Sequence, residues 1–167
     1  MANANKVDRK IELTTWVIAS LLLIIFVPKN RIREAHIIFL FKQLLTWILG
    51  LLVVEKNLLR YPKRLFFQRA TKSSFTFEYF LYPALCVLFN LYYPENKSKS
   101  KKIFFYLAHT SFITVTEVIL ERFTKLIKYE KWSWYWTFST IWLTYYLSHL
   151  YYKWFYKKDQ TTQTANN

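Results

Sequence analysis

The sequence predicts an all-α integral membrane protein, a bundle of five transmembrane helices with one basic amphipathic helix at the membrane interface. Hydrophobic residues make up 53% of the 167 residues, although the net charge is +14. The two kinds of residue are segregated into apolar runs and short basic stretches, which is typical of multi-pass membrane proteins. We predict a single helical domain, residues 1–152, with spans at about 13–28, 35–54, 75–93, 103–122 and 133–152, and a polar tail at 153–167.

The first apolar run follows a polar and basic stretch, residues 1–12. A secretory signal peptide has the same order of a basic start and an apolar middle. The small residues that a cleavage site needs are missing before Pro28 and Lys29, which favours a retained first helix. Its apolar core reaches only ~24 Å at ~1.5 Å per residue. We therefore expect Lys10 and Glu12 to extend toward the interface.

The second span carries polar or small residues along one side. Gln43, Thr46 and Gly50 lie within about 60° of one another on a helix, and Lys42 lies beside them. Gly50 is the only glycine of the chain. A mid-helix glycine indicates close approach of a neighbouring helix; the alternative is a tolerated glycine without a role.

The segment at about 56–70 is predicted to be the interfacial helix. If it is helical, apolar residues project to one side and basic residues to the other, and such helices lie among anionic headgroups. The basic residues assigned to the lipid interface are Lys56, Arg60, Lys63 and Arg64. The alternative is a solvated loop whose apolar residues dock on the bundle.

The third and fifth spans each carry a distinctive feature. Pro83 in the third span lacks a backbone N–H, which predicts a kink or an unpaired carbonyl. The fifth span opens with an aromatic stretch, Trp132–Trp136, that is typical of the membrane interface. Hydroxyl residues at four-residue spacing then form a small-residue stripe that favours helix packing. These residues are Thr140, Thr144 and Ser148, and Thr137 precedes them.

The fourth span has a polar stripe inside an apolar helix. Thr110, Thr114, Glu117 and Glu121 fall within about 60°, and such a stripe should face protein or water rather than lipid. With the polar residues of the other spans it predicts an intramembrane polar cluster. Its candidate members are Lys42, Gln43, Glu78, His109, Thr114 and Glu117.

Lys42 has two interpretations of equal standing. A charge at membrane depth is costly, so Lys42 either pairs with Glu117 or Glu78, or extends along the helix to the interface. For His109, a hydrogen-bonded packing role is favoured over a ligand or proton carrier. The sequence predicts no catalytic residue, no cofactor and no metal site, because the lone Cys86 and the histidines lack the required spacing.

The positions of the Lys and Arg residues predict the kind of partner and the orientation of the chain in the membrane. Nucleic-acid binding is not expected, because the basic residues lie at the ends of apolar runs rather than on a soluble face. With five spans, 13 Lys and Arg residues fall on the side of the N-terminus and 10 on the other side. The positive-inside rule then predicts a cytoplasmic N-terminus. Expected partners are the bilayer, with anionic lipids at the basic loops, and another copy or another membrane protein.

Several segments together resemble a family of small multi-pass membrane proteins of endospore-forming Gram-positive bacteria, over nearly the whole chain after the first helix. They are Phe39–Trp47, Arg64–Phe67, Thr76–Pro83, Glu117–Arg122 with Tyr129, and Trp132–Trp136. The resemblance implies a location in the bacterial cell membrane. No activity is established for that family, so the resemblance implies no mechanism and no site residue.

Two functional classes follow from these patterns. The favoured class is a non-enzymatic structural or partner-binding membrane component. The alternative is a small transporter, channel or ligand-binding bundle that uses the buried Lys, Glu and His residues. A hydrated cavity that reaches Glu117 would favour the alternative, and a dry, fully paired stripe would favour the structural class. An integral membrane enzyme is less favoured, because no HExxH-type spacing is present.

Overall fold

The computed structural model describes residues 2–164, and the side chains of residues 6–156. Five α-helices make up most of this part of the chain: α1 (Ala2–Phe26), α2 (Ile32–Glu55), α3 (Tyr82–Leu91), α4 (Lys99–Phe123) and α5 (Trp134–Thr164). A 3₁₀ turn, Lys29–Arg31, precedes α2, and a π-helical segment, Phe75–Leu81, leads directly into α3. Two short strands, β1 (Leu59–Arg60) and β2 (Lys128–Tyr129), pair with each other. The predicted all-α class is confirmed.

The helix α3 lies at the centre of the bundle. Ala84, Cys86, Val87 and Phe89 are each no more than 2% exposed, because α1, α2, α4 and α5 surround this helix. The Phe89 ring packs on aromatic rings of α4 and α5, including Tyr145 with a centroid separation of 4.7 Å. The side chains of α3 and of the π-helical segment before it are therefore buried or half-buried.

Large apolar side chains point outward from the bundle, while charged side chains lie inside it. Ile24 is 75% exposed and Phe112 is 66% exposed, whereas Lys42 is 1% exposed. Two helices, Lys29–Glu55 and Lys99–Phe123, are long and apolar enough to cross a membrane, and Phe75–Leu91 is apolar but shorter. This distribution is the reverse of the one expected for a protein surrounded by water.

The predicted interfacial helix over 56–70 is wrong. The helix α2 ends where Asn57 adopts a left-handed backbone with φ 52°, and β1 follows it. Residues of β1 pair antiparallel with β2, with Leu59 opposite Tyr129. The Leu58 carbonyl accepts hydrogen bonds from the backbone N–H groups of Glu130 and Lys131, both at 3.0 Å. The backbone groups that a helix would use are thus bonded to another segment instead.

The four basic residues assigned to the lipid interface do not form one helical face. Lys56, Arg60 and Lys63 are exposed on the loop. The Arg64 guanidinium instead turns back to donate to the carbonyl oxygens of Tyr61 at 2.5 Å and of Gln68 at 3.0 Å. Arg64 therefore helps hold the loop together and does not share a helical face with the other three residues.

Three segments meet at one end of the bundle, which we call the strand end. They are the first turns of α1, residues 56–74 and residues 124–133. The Lys125 N–H lies 3.4 Å from the Asp8 carboxylate, and the Trp16 indole donates to Thr76 at 3.2 Å. The loop between α3 and α4 lies at the opposite end. The helices α1 and α5 also extend beyond their predicted limits at residues 13 and 152, and 165–167 lie outside the described residues.

A disulfide tests the strand pairing. Arg60 lies opposite Lys128, and opposed Cβ atoms in an antiparallel pair are about 4.5–5.5 Å apart, close to disulfide distance. With Cys86→Ala in place, we expect the double variant Arg60→Cys with Lys128→Cys to oxidise readily, as seen by altered mobility on non-reducing gels. The control pair, Arg69→Cys with Lys128→Cys, should not. Equal oxidation of both pairs would contradict the register.

Candidate functional site

The π-helical segment before α3 is stabilised by polar side chains of α2. Pro83 has no N–H, so it cannot bond to the carbonyl of Tyr79, as in an α-helix, or to that of Glu78, as in a π-helix. Gln43 Nε2 donates to the Tyr79 carbonyl at 3.2 Å, and Thr46 Oγ1 donates to the Glu78 carbonyl at 2.7 Å. Two of the polar residues along α2 therefore donate to the carbonyl groups within helical reach of position 83, where proline supplies no N–H.

Gly50 provides the space for the Glu78 side chain. A Cβ at Gly50 would overlap the Glu78 carboxyl group. That carboxylate accepts hydrogen bonds from the Ser73 hydroxyl and the Tyr61 phenol. Burial, and after it the charge of Glu78, raise the pKa of Tyr61 well above its ordinary value, so the phenol stays protonated and donates.

Glu117 of α4 is held by three hydroxyl groups rather than by a cation. Its carboxylate accepts hydrogen bonds from Tyr82 at 2.6 Å, Thr137 at 2.7 Å and Tyr129 at 2.8 Å. The Trp132 indole donates in turn to the Thr137 hydroxyl at 2.8 Å. Burial, followed by the charge of Glu117, raises the pKa of Tyr129, so this phenol too remains a donor.

Lys42 follows neither of its two predicted interpretations. It is 1% exposed, so it does not reach the interface. Among the described side chains it forms no ion pair with Glu78 or Glu117. Its Nζ instead donates to Thr144 at 2.5 Å and lies 4.8 Å from the centroid of the Tyr145 ring. An ammonium group has three N–H donors, so part of its donor capacity remains available.

These three charged residues line one cavity of about 90 Å³. It is bounded by α2, the π-helical segment, α4 and α5, and at the strand end by Leu59, Tyr61 and Trp132. A water molecule occupies about 30 Å³ in the liquid, and polar cavities of this size hold water. With Lys42, Glu78 and Glu117 all ionised, the cavity carries a net charge of −1, which a low-dielectric interior disfavours.

Other predicted cluster residues do not line this cavity. His109 packs on Phe105 with ring centroids 4.2 Å apart, and its Nδ1 lies 3.0 Å from the Phe105 carbonyl. This is the packing role that was favoured. Thr114 is buried and donates to the carbonyl of Thr110 at 2.8 Å. Gln43 acts through the Tyr79 carbonyl, outside the lining.

The small-residue stripe of α5 forms hydrogen bonds as well as helix contacts. Thr140 and Thr144 line the cavity, and Thr144 accepts the hydrogen bond from Lys42. Ser148, one turn further, accepts a hydrogen bond from the Cys86 thiol at 3.3 Å. The polar groups of this stripe therefore extend from the central cavity toward the end of the bundle opposite the strand end.

A second polar cluster lies at that opposite end. The Asn90 amide donates to the Cys86 carbonyl at 2.9 Å, so its Oδ1 accepts from His149 Nδ1 at 3.0 Å. His149 Nε2 and Lys153 Nζ lie 3.0 Å and 2.8 Å from the Glu95 carboxylate. Partial burial raises the pKa of Glu95, but the hydrogen bond and charge of Lys153 outweigh it, so the net pKa lies below its ordinary value.

The sequence analysis missed three tyrosines of the site. Tyr61, Tyr82 and Tyr129 donate to the two carboxylates, but the sequence analysis did not include them in the polar cluster. One signal was present: Glu78, Tyr82, Cys86 and Asn90 recur every four residues along the third span, which predicts one polar face. Tyr61 lies in a loop and Tyr129 lies in the two-residue strand β2, and neither segment is long enough for periodicity to indicate direction.

Comparisons of the chain with protein-family models, with curated proteins and with solved structures give no match. The resemblance to the bacterial membrane family therefore stays a prediction. Within residues 6–156, no group of three or more His, Cys, Asp or Glu side chains is arranged to hold a metal ion. Function must accordingly be argued from the cavity itself.

A double-mutant cycle tests the contact between Gly50 and Glu78. We expect Gly50→Ala to destabilise the protein by about 1–3 kcal/mol, because its methyl group overlaps the carboxyl group. In a Glu78→Ala background the same change should be neutral or stabilising, since alanine favours a helix by about 0.5–1 kcal/mol over glycine. Thermal unfolding in detergent micelles measures both. An equal cost in both backgrounds would contradict the contact.

Glu117→Leu tests the three hydrogen bonds that Tyr82, Tyr129 and Thr137 donate to Glu117. The substitution removes the acceptor of three buried donors, and each unsatisfied group costs about 1–3 kcal/mol. We expect a total loss of about 3–5 kcal/mol, because Tyr129 and Thr137 lie 3.2 Å apart and can bond to each other. Glu121→Leu, on the same helix and outside the cavity, is the control. Equal losses of unfolding temperature in the two variants would contradict the stabilising role of these three hydrogen bonds.

Proposed function

We propose that this chain is a multi-pass protein of the bacterial cell membrane that binds a proton or a hard monovalent cation in its central cavity and conducts it across the bilayer. The observation that carries the proposal is the placement of Lys42, Glu78 and Glu117 around one cavity without an ion pair among them. Such a protein is non-enzymatic and needs no resident cofactor.

The charge of the cavity defines the class of ligand. Two carboxylates and one ammonium leave one negative charge unbalanced, and one proton or one monovalent cation balances it. The lining is largely apolar, but it includes carboxylate, phenol and threonine hydroxyl oxygens, which are ligands that hard cations prefer. Lys42 lines the same cavity, and its positive charge opposes tight cation binding, while conduction requires binding weak enough for the ion to leave.

The exposed surface supports the membrane location. Large apolar side chains are exposed on α1 and α5 as well as on the two longest apolar helices, including Ile25 at 68% and Leu143 at 54%. Charged residues inside a membrane face the bundle interior and mark ion pathways. The N-terminus, residues 56–74 and residues 124–133 share the strand end, and their basic residues support a cytoplasmic strand end.

The structural or partner-binding class keeps one observation in its favour. The three hydroxyl donors satisfy Glu117 without any ligand, as in a purely structural network. The cavity separates the two classes, because a structural network has no need of space beside Lys42 and Glu78.

Ion flux in proteoliposomes tests the proposal. We expect purified protein to dissipate an imposed H⁺ or Na⁺ gradient, read by a separate dye for each ion, and so to show which ion moves. Glu117→Gln removes one carboxylate charge and should lower this flux at least tenfold. Glu121→Gln, the same change one turn away on α4, should leave it unchanged. Circular dichroism checks that each variant is folded. Flux equal to that of protein-free vesicles for both ions would overturn the proposal.

A further inference from the structure

A second pocket, of about 600 Å³, lies on the outer surface of the strand end. Four basic residues from two segments of the chain, 56–74 and 124–133, line it: Arg60, Arg64, Lys72 and Lys128. The pairing of β1 with β2 brings Arg60 and Lys128 together. One acidic residue, Glu130, also lines the pocket, so its net charge is +3.

The cations of this pocket are only weakly compensated. Glu130 lies 3.5 Å from Arg60 and 3.8 Å from Lys128, and the two basic side chains are 58% and 61% exposed. Such exposed pairs contribute little and leave the cations available to another anion. Lys72 has no ion pair among the described side chains. Arg64 also donates to the carbonyl of Lys72, at 3.4 Å, which helps hold the basic rim in place.

Aromatic side chains beside the pocket mark the level of lipid headgroups. Phe67 is 55% exposed and packs on Phe75 at 4.8 Å. Trp134 and Trp136, at the same end of the bundle, are 60% and 49% exposed. Exposed tryptophan and phenylalanine residues beside a basic surface are typical of the interface of an anionic leaflet.

We propose that this pocket binds the phosphate headgroup of an anionic phospholipid. Arginine side chains bind phosphate oxygens through paired N–H donors, and lysines act on them as point charges. The pocket is separate from the central cavity, and the proposal does not depend on ion conduction. It replaces the predicted binding by a basic helical face with binding by a formed pocket, in which Lys72 and Lys128 take the place of Lys56 and Lys63.

The test compares equal losses of charge inside and outside the pocket. Full-length protein in a neutral detergent is titrated with phosphatidylglycerol or with phosphatidylcholine, and the unfolding temperature is followed. We expect phosphatidylglycerol alone to raise it saturably. Lys72→Gln with Lys128→Gln should weaken the apparent affinity on the order of tenfold. Lys56→Gln with Lys63→Gln, two exposed lysines outside the lining, should leave it unchanged.

A variant that should bind phosphatidylglycerol more tightly separates an effect on the pocket from a folding defect, which would only weaken binding. Glu130→Gln removes the one acidic group of the pocket and should tighten phosphatidylglycerol binding. Equal weakening by both lysine pairs would mean diffuse attraction and would overturn the proposal, as would an unchanged affinity for Glu130→Gln. The same temperature rise with inorganic phosphate or glycerol 3-phosphate would assign the pocket to a free phosphate and would overturn the lipid.

Discussion

The missing N–H of Pro83 is the constraint on which the interior depends. It removes the one N–H that could bond to the carbonyl of Tyr79 or of Glu78, inside a bundle where an unsatisfied carbonyl is costly. In α2, Gln43 Nε2 donates to the Tyr79 carbonyl at 3.2 Å, and Thr46 Oγ1 donates to the Glu78 carbonyl at 2.7 Å. These bonds hold the π-helical segment against α2, and Glu78 then projects into the space left by Gly50.

The carboxylates of Glu78 and Glu117 are buried, and they are stabilised by hydrogen bonds rather than by ion pairs within the described part of the chain. Glu117 receives three hydroxyl donors, and Glu78 receives two, yet neither is paired with a cation among the side chains of residues 6–156. Hydrogen bonds to hydroxyl groups stabilise a carboxylate without cancelling its charge. Lys42 is near enough to line the same cavity but bonds to Thr144 instead. If all three groups are ionised, the interior carries one unbalanced negative charge, which a mobile cation or proton would remove.

The helical elements could be predicted from apolar runs, because membrane-length helices leave a strong periodic and compositional signal. The stripe of Gln43, Thr46 and Gly50 was also visible, although its purpose was not, since the partner atoms are backbone carbonyls that sequence patterns do not show. The segment at 56–70 was mistaken for a helix because its amphipathic spacing suits one. Its pairing with β2 is a contact between distant segments, and local periodicity carries no information about it.

Tyr61 joins the two regions of the molecule that could act on charged ligands. It is 6% exposed, its phenol donates to Glu78, and it contributes to the lining of both the central cavity and the basic pocket. The residue lies between Arg60 of β1 and Pro62, in a loop that the β1–β2 pairing and Arg64 hold in place. The Tyr61 side chain therefore contacts Glu78 inside the bundle, while the backbone of the same residue accepts a hydrogen bond from Arg64 at the surface of the strand end.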